Sequence, residues 1–411
     1  MKTGLGFGKE SNLDLFEIQS DSQVSAEELF DVLYSQKGEQ IKNFLDENIV
    51  GQQTAKQVVV DILETLIASK GLIKDGNPNK PIASILFVGP SGVGKTQLAI
   101  EFQKVLNKYF GEKNEIIKVN CADYKDNGSG SSLTKLLGAP PGYISCDKKS
   151  KFHPDNIQGK GRVILFDEIE KGGEAMKDAM LSILDDGTAQ INYVDTSDSI
   201  YKPSNWKKNS KFNNGNEKEV SENQEITAYF KEAVIIMTSN MGTREMLEMM
   251  NGGMGFGTKK SSCDDVNEKM QDIVMKAIDG NFKLEMQGRI DYIVPFVYLN
   301  KDEYMEILNR KLNSLREKYV KNINNGQLVF FKMSDNSKNL LVNMAVSNNK
   351  GLGIRRLEQL INKHINAVLS KAINDGIFQD GKVCLDIQTD GKQFVYKISQ
   401  MGTENNGIIR L

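Results

Sequence analysis

Histidine, cysteine and long apolar runs are all scarce in this chain of 411 residues. Two histidines give no basis for a histidine-based metal site or catalytic triad, and the four cysteines lack any C-x-x-C spacing. We therefore expect reduced thiols. No apolar stretch approaches the roughly 20 residues of a spanning helix, and residues 1–8 lack the apolar core of a secretory signal. These absences predict a cytoplasmic protein with no membrane partner.

An excess of charge of either sign is also absent. The chain has 52 Lys and Arg residues against 54 Asp and Glu residues, which gives a net charge of −2. This balance gives no electrostatic reason to expect nucleic acid as a partner. The length allows two or three domains of roughly 150 residues each.

What the sequence does contain is a phosphate-binding loop between a strand pattern and a helix pattern. The apolar run 84–88 leads into the loop, and apolar residues at helical spacing follow it. Glycines let backbone N–H groups surround a phosphate, and the helix N-terminus adds partial positive charge. Lys95 is placed to reach the β- and γ-phosphates, and the Thr96 hydroxyl to ligate magnesium. The predicted nucleotide-binding residues are Gly89, Pro90, Ser91, Gly92, Val93, Gly94, Lys95 and Thr96.

Polar side chains end two further apolar strand patterns. The run 163–166 stops at Asp167 and Glu168. The first carboxylate is predicted to help hold Mg²⁺, and the second to orient and deprotonate an attacking water. The run 233–237 leads to Asn240, whose amide is placed to polarise the γ-phosphate or that water. The pair of acids favours hydrolysis over nucleotide binding alone.

Strand patterns alternate with helix patterns, which predicts an α/β fold with a parallel sheet of five strands flanked by helices. After residue 299 helix patterns dominate, and Asn300 with Glu303 three residues later predicts the start of the first of these helices. Two short strand patterns at 383–387 and 394–398 predict a hairpin. The predicted organisation is an N-terminal arm at 1–40 with one short helix at 26–34, a large domain at 41–297 with a disordered insertion at 200–225, and a small, mainly helical domain with a short β element at 298–411.

The order of these motifs resembles that of the Clp unfoldases of the AAA+ class, from about residue 49 to residue 398. The chain is similar to a single ATPase module, the second module of ClpB-, ClpA- and ClpC-like proteins. The matching segments are 49–52, 89–96, 138–145, 166–171, 184–187, 237–240, 288–291 and 353–357. The resemblance implies an AAA+ fold ending in a lid domain, ATP with Mg²⁺ as cofactors, and a homo-hexameric ring with its active sites at the subunit junctions. It also implies unfolded or tagged proteins as substrates.

The resemblance also implies roles for individual residues. Val50 would contact adenine. Arg289 would be the arginine finger that reaches the γ-phosphate of the neighbouring subunit, and Arg355, which fits the family pattern better than Arg356, would couple the lid to the nucleotide. The loop that grips substrate in the axial pore would be formed by Gly142, Tyr143 and Ile144.

Several alternatives remain open at the level of sequence. Met254, Gly255 and Phe256 fit the aliphatic-Gly-Phe loop with which some family members dock a ClpP-like peptidase, but Leu5-Gly6-Phe7 fits it as well. The main prediction is an ATP-dependent unfoldase that threads polypeptide through its ring. The alternatives are a dedicated remodelling ATPase without a peptidase, a nucleic-acid motor or loader, and a nucleotide-dependent switch with little turnover.

Overall fold

A parallel sheet carries the segments that the sequence singles out. The computed structural model describes residues 26–68, 78–125, 133–140, 148–193, 225–251, 272–280, 282–321, 329–347, 353–375, 383–400 and 406–409. The first seven strands are β1 (Ala83–Val88), β2 (Ile117–Asn120), β3 (Arg162–Asp167), β4 (Thr188–Asn192), β5 (Glu225–Tyr229), β6 (Ala233–Ser239) and β7 (Tyr292–Pro295). Five of them form a sheet in the order β2-β3-β6-β1-β7, with every pair parallel. The predicted parallel five-stranded sheet is confirmed.

The register of the sheet brings the ends of its strands to one edge. Val88 at the end of β1 pairs with Ser239 at the end of β6, and Asp167 at the end of β3 pairs with Asn120. Since ligands of open α/β sheets bind outside the carboxyl ends of the strands, this edge is where a nucleotide site is expected.

Helices cover both faces of this sheet. They are α1 (Ala26–Asn48), α2 (Gln53–Ala68), α3 (Lys95–Phe110), α4 (Thr134–Leu137), α5 (Pro154–Ile157), α6 (Glu174–Asp185), α7 (Thr243–Asn251), α8 (272–280) and α9 (Leu284–Gln287). Every residue of β1 is buried. Ile85 and Phe87 lie in a core with α1, α2 and α3, whereas Leu86 and Val88 lie in the opposite core with α6, α7 and α8, as the two-residue period of a strand requires.

The N-terminal helix is longer than the sequence predicts. We expected a short helix at 26–34 within a separate arm, but α1 continues to Asn48, past the predicted boundary at residue 40. Ile41 and Leu45 are almost completely buried in the core that α2 and α3 share. Burial of this last part explains the extension, because packing of an apolar face stabilises most protein helices. Residues 1–25 of the predicted arm lie outside the described residues.

A hairpin of β4 and β5 frames the predicted insertion at 200–225. The strands pair antiparallel from Thr188–Tyr229 to Asn192–Glu225. The insertion lies outside the described residues, except for Glu225, which begins β5. Gly138 has φ +94°, and a Cβ there would collide with the backbone oxygen of Asn192. The segment that leads into the predicted pore loop is therefore packed tightly against the hairpin.

The C-terminal region has its own core and its own sheet. Its elements are α10 (Lys301–Lys321), β8 (Val329–Met333), α11 (Asp335–Ser347), α12 (Ile354–Ile361), a π-helical turn (Asn362–Asn366), α13 (Ala367–Asn374), β9 (Val383–Thr389), β10 (Phe394–Gln400) and β11 (Asn406–Ile409). At the start of α10, Asn300 and Glu303 each accept a hydrogen bond from the other's backbone N–H, at 2.9 and 2.7 Å, which is the capping pattern that the sequence predicts.

The β element of this region is larger than predicted. The predicted hairpin is present as β9 and β10, but β8 adds to it in parallel and β11 antiparallel, which gives four strands in the order β11-β10-β9-β8.

His364 packs on Phe394, and its Nδ1 lies 3.1 Å from the hydroxyl of Tyr396. Burial lowers the pKa of His364. Across the described residues, no helix has both the length and the apolar character that crossing a bilayer requires.

Candidate nucleotide-binding site

The phosphate loop between β1 and α3 has the backbone shape that its glycines allow. Gly89 has φ +151°, and a Cβ there would strike the backbone oxygen of Phe296. Gly94, immediately before α3, has φ +108°, and a Cβ there would meet nothing within 4 Å. The space beside Gly94 is therefore open in front of a helix N-terminus, where a phosphate is favoured by backbone N–H groups and the helix dipole.

Lys95 lies beneath this loop. It is 7 % exposed, and its Nζ donates hydrogen bonds to the backbone oxygens of Gly89 and Pro90, at 2.5 and 2.7 Å, and to Oδ1 of Asn240, at 3.0 Å. Burial lowers the pKa of Lys95 to about 8, although nearby carboxylates, Glu170 first among them, oppose the shift. A phosphate group would replace neutral carbonyls with a full negative charge and so favour the protonated amine.

Asp167 is held by three side chains at the end of β3. Its Oδ1 accepts hydrogen bonds from Thr238, at 2.5 Å, and Thr96, at 3.3 Å, and its Oδ2 lies 2.7 Å from Nζ of Lys118. Burial alone would raise the pKa of Asp167, but hydrogen bonds from Lys118 and Thr238 outweigh it and lower the pKa. The carboxylate is therefore ionised and fixed in direction.

The donor set here fits magnesium. Oγ1 of Thr96 and Oδ1 of Asp167 are 3.3 Å apart, close to the roughly 3 Å expected for adjacent oxygens around an octahedral Mg²⁺. Both residues line an open cleft, so water and phosphate oxygens could complete the shell. Thr96 and Asp167 are therefore the residues that would hold Mg²⁺ beside a bound nucleotide.

Glu168 has a backbone conformation that is unusual for a residue with a side chain. Its φ is +59° and its ψ +55°, in the left-handed region, which costs free energy for a residue other than glycine. Its backbone N–H donates to Oγ1 of Thr238, at 3.0 Å, and its carboxylate lies 2.6 Å from Nζ of Lys171 and 3.4 Å from Nδ2 of Asn240. The strained turn directs the carboxylate into the cleft.

Glu170 is a residue of this site that the sequence reasoning missed. Its Oε1 accepts hydrogen bonds from both the backbone N–H and Nδ2 of Asn240, each at 3.3 Å. Its Oε2 is buried without a partner among the described residues. With Oδ1 of Asn240 bound to Lys95, these contacts fix which way the Asn240 amide faces. Glu170 therefore orients the amide that the sequence predicts to contact the γ-phosphate or the water.

Replacing Glu170 by glutamine is expected to slow ATP turnover about 10-fold, because it weakens the two hydrogen bonds that the charged carboxylate accepts from Asn240. Glutamine keeps the shape but removes the charge, so the Asn240 amide is held less firmly in its orientation. Steady-state kinetics would show a lower kcat with KM for ATP nearly unchanged. Glu174→Gln, which alters an exposed carboxylate on α6, is the control, and an unchanged kcat in the Glu170 variant would refute this role.

The C-terminal region closes the other side of the site. Gly353, before α12, has φ +53°, and a Cβ there would lie 2.7 Å from the backbone oxygen of Gly92. The backbone N–H of Ile354 donates to that oxygen at 3.0 Å. Arg355 lines the cleft, whereas Arg356 hydrogen-bonds Gln359 at 3.3 Å.

These residues surround one cleft of about 630 Å³, a volume in the range of small-molecule sites. Glu358, one turn after Arg355 on α12, also lines it and forms an ion pair with Lys311 of α10 at 2.6 Å. The cleft is lined by Ser91, Gly92, Gly94, Lys95, Thr96, Gln97, Lys118, Asn120, Asp167, Glu168, Lys171, Thr238, Asn240, Ile354, Arg355 and Glu358.

Other predicted site residues lie elsewhere or outside the described residues. Arg289 does not line the cleft; it lies before β7, where the backbone N–H of Asp291 donates to the oxygen of Ser84 near the start of β1. Val50 packs against the C-terminal core rather than lining the cleft, so its contact with adenine stays a prediction. The pore-loop residues 142–144 and the docking residues 254–256 lie outside the described residues.

The contacts that sequence reasoning missed join residues far apart in the chain. Lys118 and Thr238 both hold Asp167, from β2 and β6. Thr238 lies in the segment 237–240, which resembles a family motif. Its hydroxyl is near the end of one strand pattern, and Asp167 is at the end of another, so the sequence contained a signal for this contact. Lys118 had no such signal, because a lysine in a short strand is common on protein surfaces.

Comparison with known proteins agrees with the type of domain that the sequence motifs predict. The sequence matches the family model described as AAA domain (Cdc48 subfamily) over residues 80–293. It is 29 % identical over 361 residues to the ATP-dependent Clp protease ATP-binding subunit ClpC of Staphylococcus epidermidis, covering 88 % of this chain and 38 % of that protein. For ClpC of Staphylococcus aureus the values are 28 % over 370 residues, 90 % and 39 %. The chain spans less than half the length of these curated relatives.

A solved structure has a similar fold. It is a cryo-EM reconstruction of Hsp104 in a closed state with ATPγS and FITC-casein, with a TM-score of 0.61 and 24 % sequence identity. The alignment covers 92 % of this chain and 53 % of the Hsp104 chain. The likeness therefore includes both the parallel sheet and the C-terminal region.

Proposed function

Since the chain belongs to the AAA domain family (Cdc48 subfamily) and is a Clp-type AAA+ ATPase, we propose that it hydrolyses ATP in order to unfold or remodel proteins. The observation that carries this proposal is the convergence of Lys95, Asp167, Glu168 and Arg355 on one cleft. Such a set binds a triphosphate, holds a metal, activates water and senses the bound nucleotide.

The chemistry follows from where the side chains lie. Lys95 would leave the loop carbonyls for the β- and γ-phosphates, and Thr96 with Asp167 would hold Mg²⁺. When bound, the metal neutralises charge that develops on the transferring phosphoryl group. Glu168 would take a proton from the attacking water, and Asn240 would orient that water or the γ-phosphate. The hydrogen bonds that Asp167 accepts from Thr96 and Thr238, and the one that Asn240 accepts from Lys95, support these roles.

The location of Arg289 supports a ring. Asp291 is hydrogen-bonded to Ser84, five residues before Gly89 along β1, so at about 3.3 Å per residue the arginine segment lies roughly 16 Å from the phosphate loop of its own chain. An arginine at the opposite edge of the sheet is suited to the site of a neighbour. We propose a homo-hexamer in which Arg289 completes the active site of the adjacent subunit.

The contact between the C-terminal region and the phosphate loop supports the coupling of ATP hydrolysis to domain movement. The Gly92–Ile354 hydrogen bond and Arg355 link the start of α12 to the nucleotide cleft. In the proposal, hydrolysis moves a small domain (298–411) against a large domain (41–297), and Tyr143 draws polypeptide through the axial pore. An aromatic side chain can grip many sequences through contact area. The proposed location is the cytoplasm, with neither nucleic acid nor a membrane as partner.

The most specific part of the proposal is a peptidase partner. The ClpC relatives are named as ATP-binding subunits of a protease, and the tripeptide 254–256 would insert into an apolar pocket of a ClpP-like ring. Pull-down of a ClpP-like ring that Phe256→Ala abolishes would support docking. Unfolding without any such binding would instead identify a dedicated remodelling ATPase.

Replacing Tyr143 by alanine tests the threading function. We expect loss of ATP-driven unfolding of a tagged fluorescent protein with ATP hydrolysis retained, because the variant removes the grip but leaves the cleft intact. Tyr229→Ala, at a tyrosine that is 54 % exposed on β5, is the control. Full unfolding activity in the Tyr143 variant would contradict the proposal, and stimulation of ATP hydrolysis by DNA but not by unfolded protein would favour a nucleic-acid motor.

A further inference from the structure

The side chain of Arg289 is held within its own chain by the last residue of α6. Nη2 of Arg289 lies 3.0 Å from Oδ2 of Asp185, and the two side chains are 34 and 38 % exposed. An ion pair this exposed contributes little to folding, because water screens it and two side chains must be ordered. Its effect is therefore on the direction of the guanidinium rather than on the stability of the chain.

The backbone at Arg289 is fixed by a separate set of contacts. Ser84, which is 4 % exposed in β1, donates its hydroxyl to the backbone oxygen of Arg289 at 2.7 Å. The backbone N–H of Ser84 donates to Oδ2 of Asp291, also at 2.7 Å. The backbone N–H of Asp291 also donates to the backbone oxygen of Ser84. With the main chain held against β1 on both sides of residue 290, the remaining freedom lies in the arginine side chain. Asp185 removes part of that freedom.

Asp185 is also held in place by the packing of α6. α6 begins at Glu174, close after the turn that contains Glu168, and its 12 residues span about 18 Å at 1.5 Å per residue. Its inner face is buried, with Met176, Met180, Ile183 and Leu184 in the core. This packing fixes the position of the carboxylate that holds Arg289 relative to the core.

We propose that Asp185 is a positioning residue for Arg289, which aims the guanidinium at the γ-phosphate bound by the neighbouring subunit. The proposal rests on the proposed ring. Arginine has five N–H donors in a planar fork, so it can keep its bond to Asp185 through Nη2 while other donors reach a phosphate.

Charge-removing and charge-keeping variants of Asp185 test this role. In assembled rings, Asp185→Asn and Asp185→Ala are expected to lower kcat about 10-fold, since misplacement of a catalytic group by as little as 1 Å can cost more. The affinity for a fluorescent ATP analogue should not change. Asp185→Glu should recover most of the loss, and Asp186→Asn, at the exposed next residue, should have no effect.

A double-mutant cycle separates positioning from a general structural effect. Once Arg289 is alanine, adding Asp185→Asn should lower kcat no further, because the group that Asp185 positions is gone. Equal losses in the presence and absence of Arg289, or a kcat of Asp185→Ala equal to that of the parent, would overturn the proposal. If Arg289→Ala alone leaves turnover unchanged, the proposed ring site fails instead, so the two failures are distinguishable.

Discussion

Replacing Glu168 by glutamine is expected to lower ATP turnover by about 10²- to 10⁴-fold, the usual contribution of a general base, while ATP binding is retained. Glutamine preserves the shape of the side chain and cannot accept the proton of the attacking water. Lys95, Thr96 and Asp167 are unchanged, and their contacts do not involve the Glu168 carboxylate. The variant should therefore accumulate with ATP bound.

Two measurements distinguish this outcome from a misfolded site. Single-turnover hydrolysis of radiolabelled ATP reports the chemical step, and titration with a fluorescent ATP analogue reports binding. Glu232→Gln, at an exposed glutamate before β6, is the control for loss of one negative charge. Hydrolysis at the parent rate would remove Glu168 from the mechanism, and loss of binding would show that its charge serves the site in another way.

Replacing Arg289 by alanine is expected to lower kcat by about 10³- to 10⁵-fold, the range for arginine fingers, with little change in nucleotide affinity. Arg289 does not line the cleft of its own chain, so removing it should leave binding there intact. Arg244→Ala is a matched control, because this arginine is 86 % exposed and pairs with Glu248 on the same helix. Parent-level turnover by the Arg289 variant would reject the finger.

A mixing experiment tests whether the finger acts between subunits. Rings of Arg289→Ala and rings of Lys95→Ala should each be inactive, the first without fingers and the second without competent phosphate loops. In mixed rings a Lys95→Ala subunit can offer Arg289 to the intact site of an Arg289→Ala neighbour. Recovery of activity on mixing would support action in trans, whereas mixtures as inactive as their components would contradict it.

Local patterns carried most of what could be predicted about the fold. The apolar runs before Gly89, Asp167 and Asn240 are strands in the structure because a strand buried on both faces is a continuous apolar run. The capping pair Asn300 and Glu303 marked the start of α10, because both partners lie within one helical turn. These features depend on neighbours in sequence.

Features that depend on distant partners could not be predicted. The contact of Glu170 with Asn240 spans 70 positions, and that of Arg289 with Asp185 spans 104. Neither pair has a local signal, because either acid would be unremarkable on a solvated surface. β8 was missed for a related reason, since its pairing partner β9 lies more than 50 positions later and a run of five residues is too short to distinguish strand from helix. The domain boundaries stay predictions.

The ladder of β4 and β5 has a consequence for how related chains can vary. The two strands pair without interruption up to Asn192 and Glu225, and Gly138 packs against that end. The free-energy cost of closing a loop between Asn192 and Glu225 rises only with the logarithm of the number of residues in the loop. Residues can therefore be inserted or deleted between β4 and β5 during evolution, while the nucleotide cleft keeps its geometry.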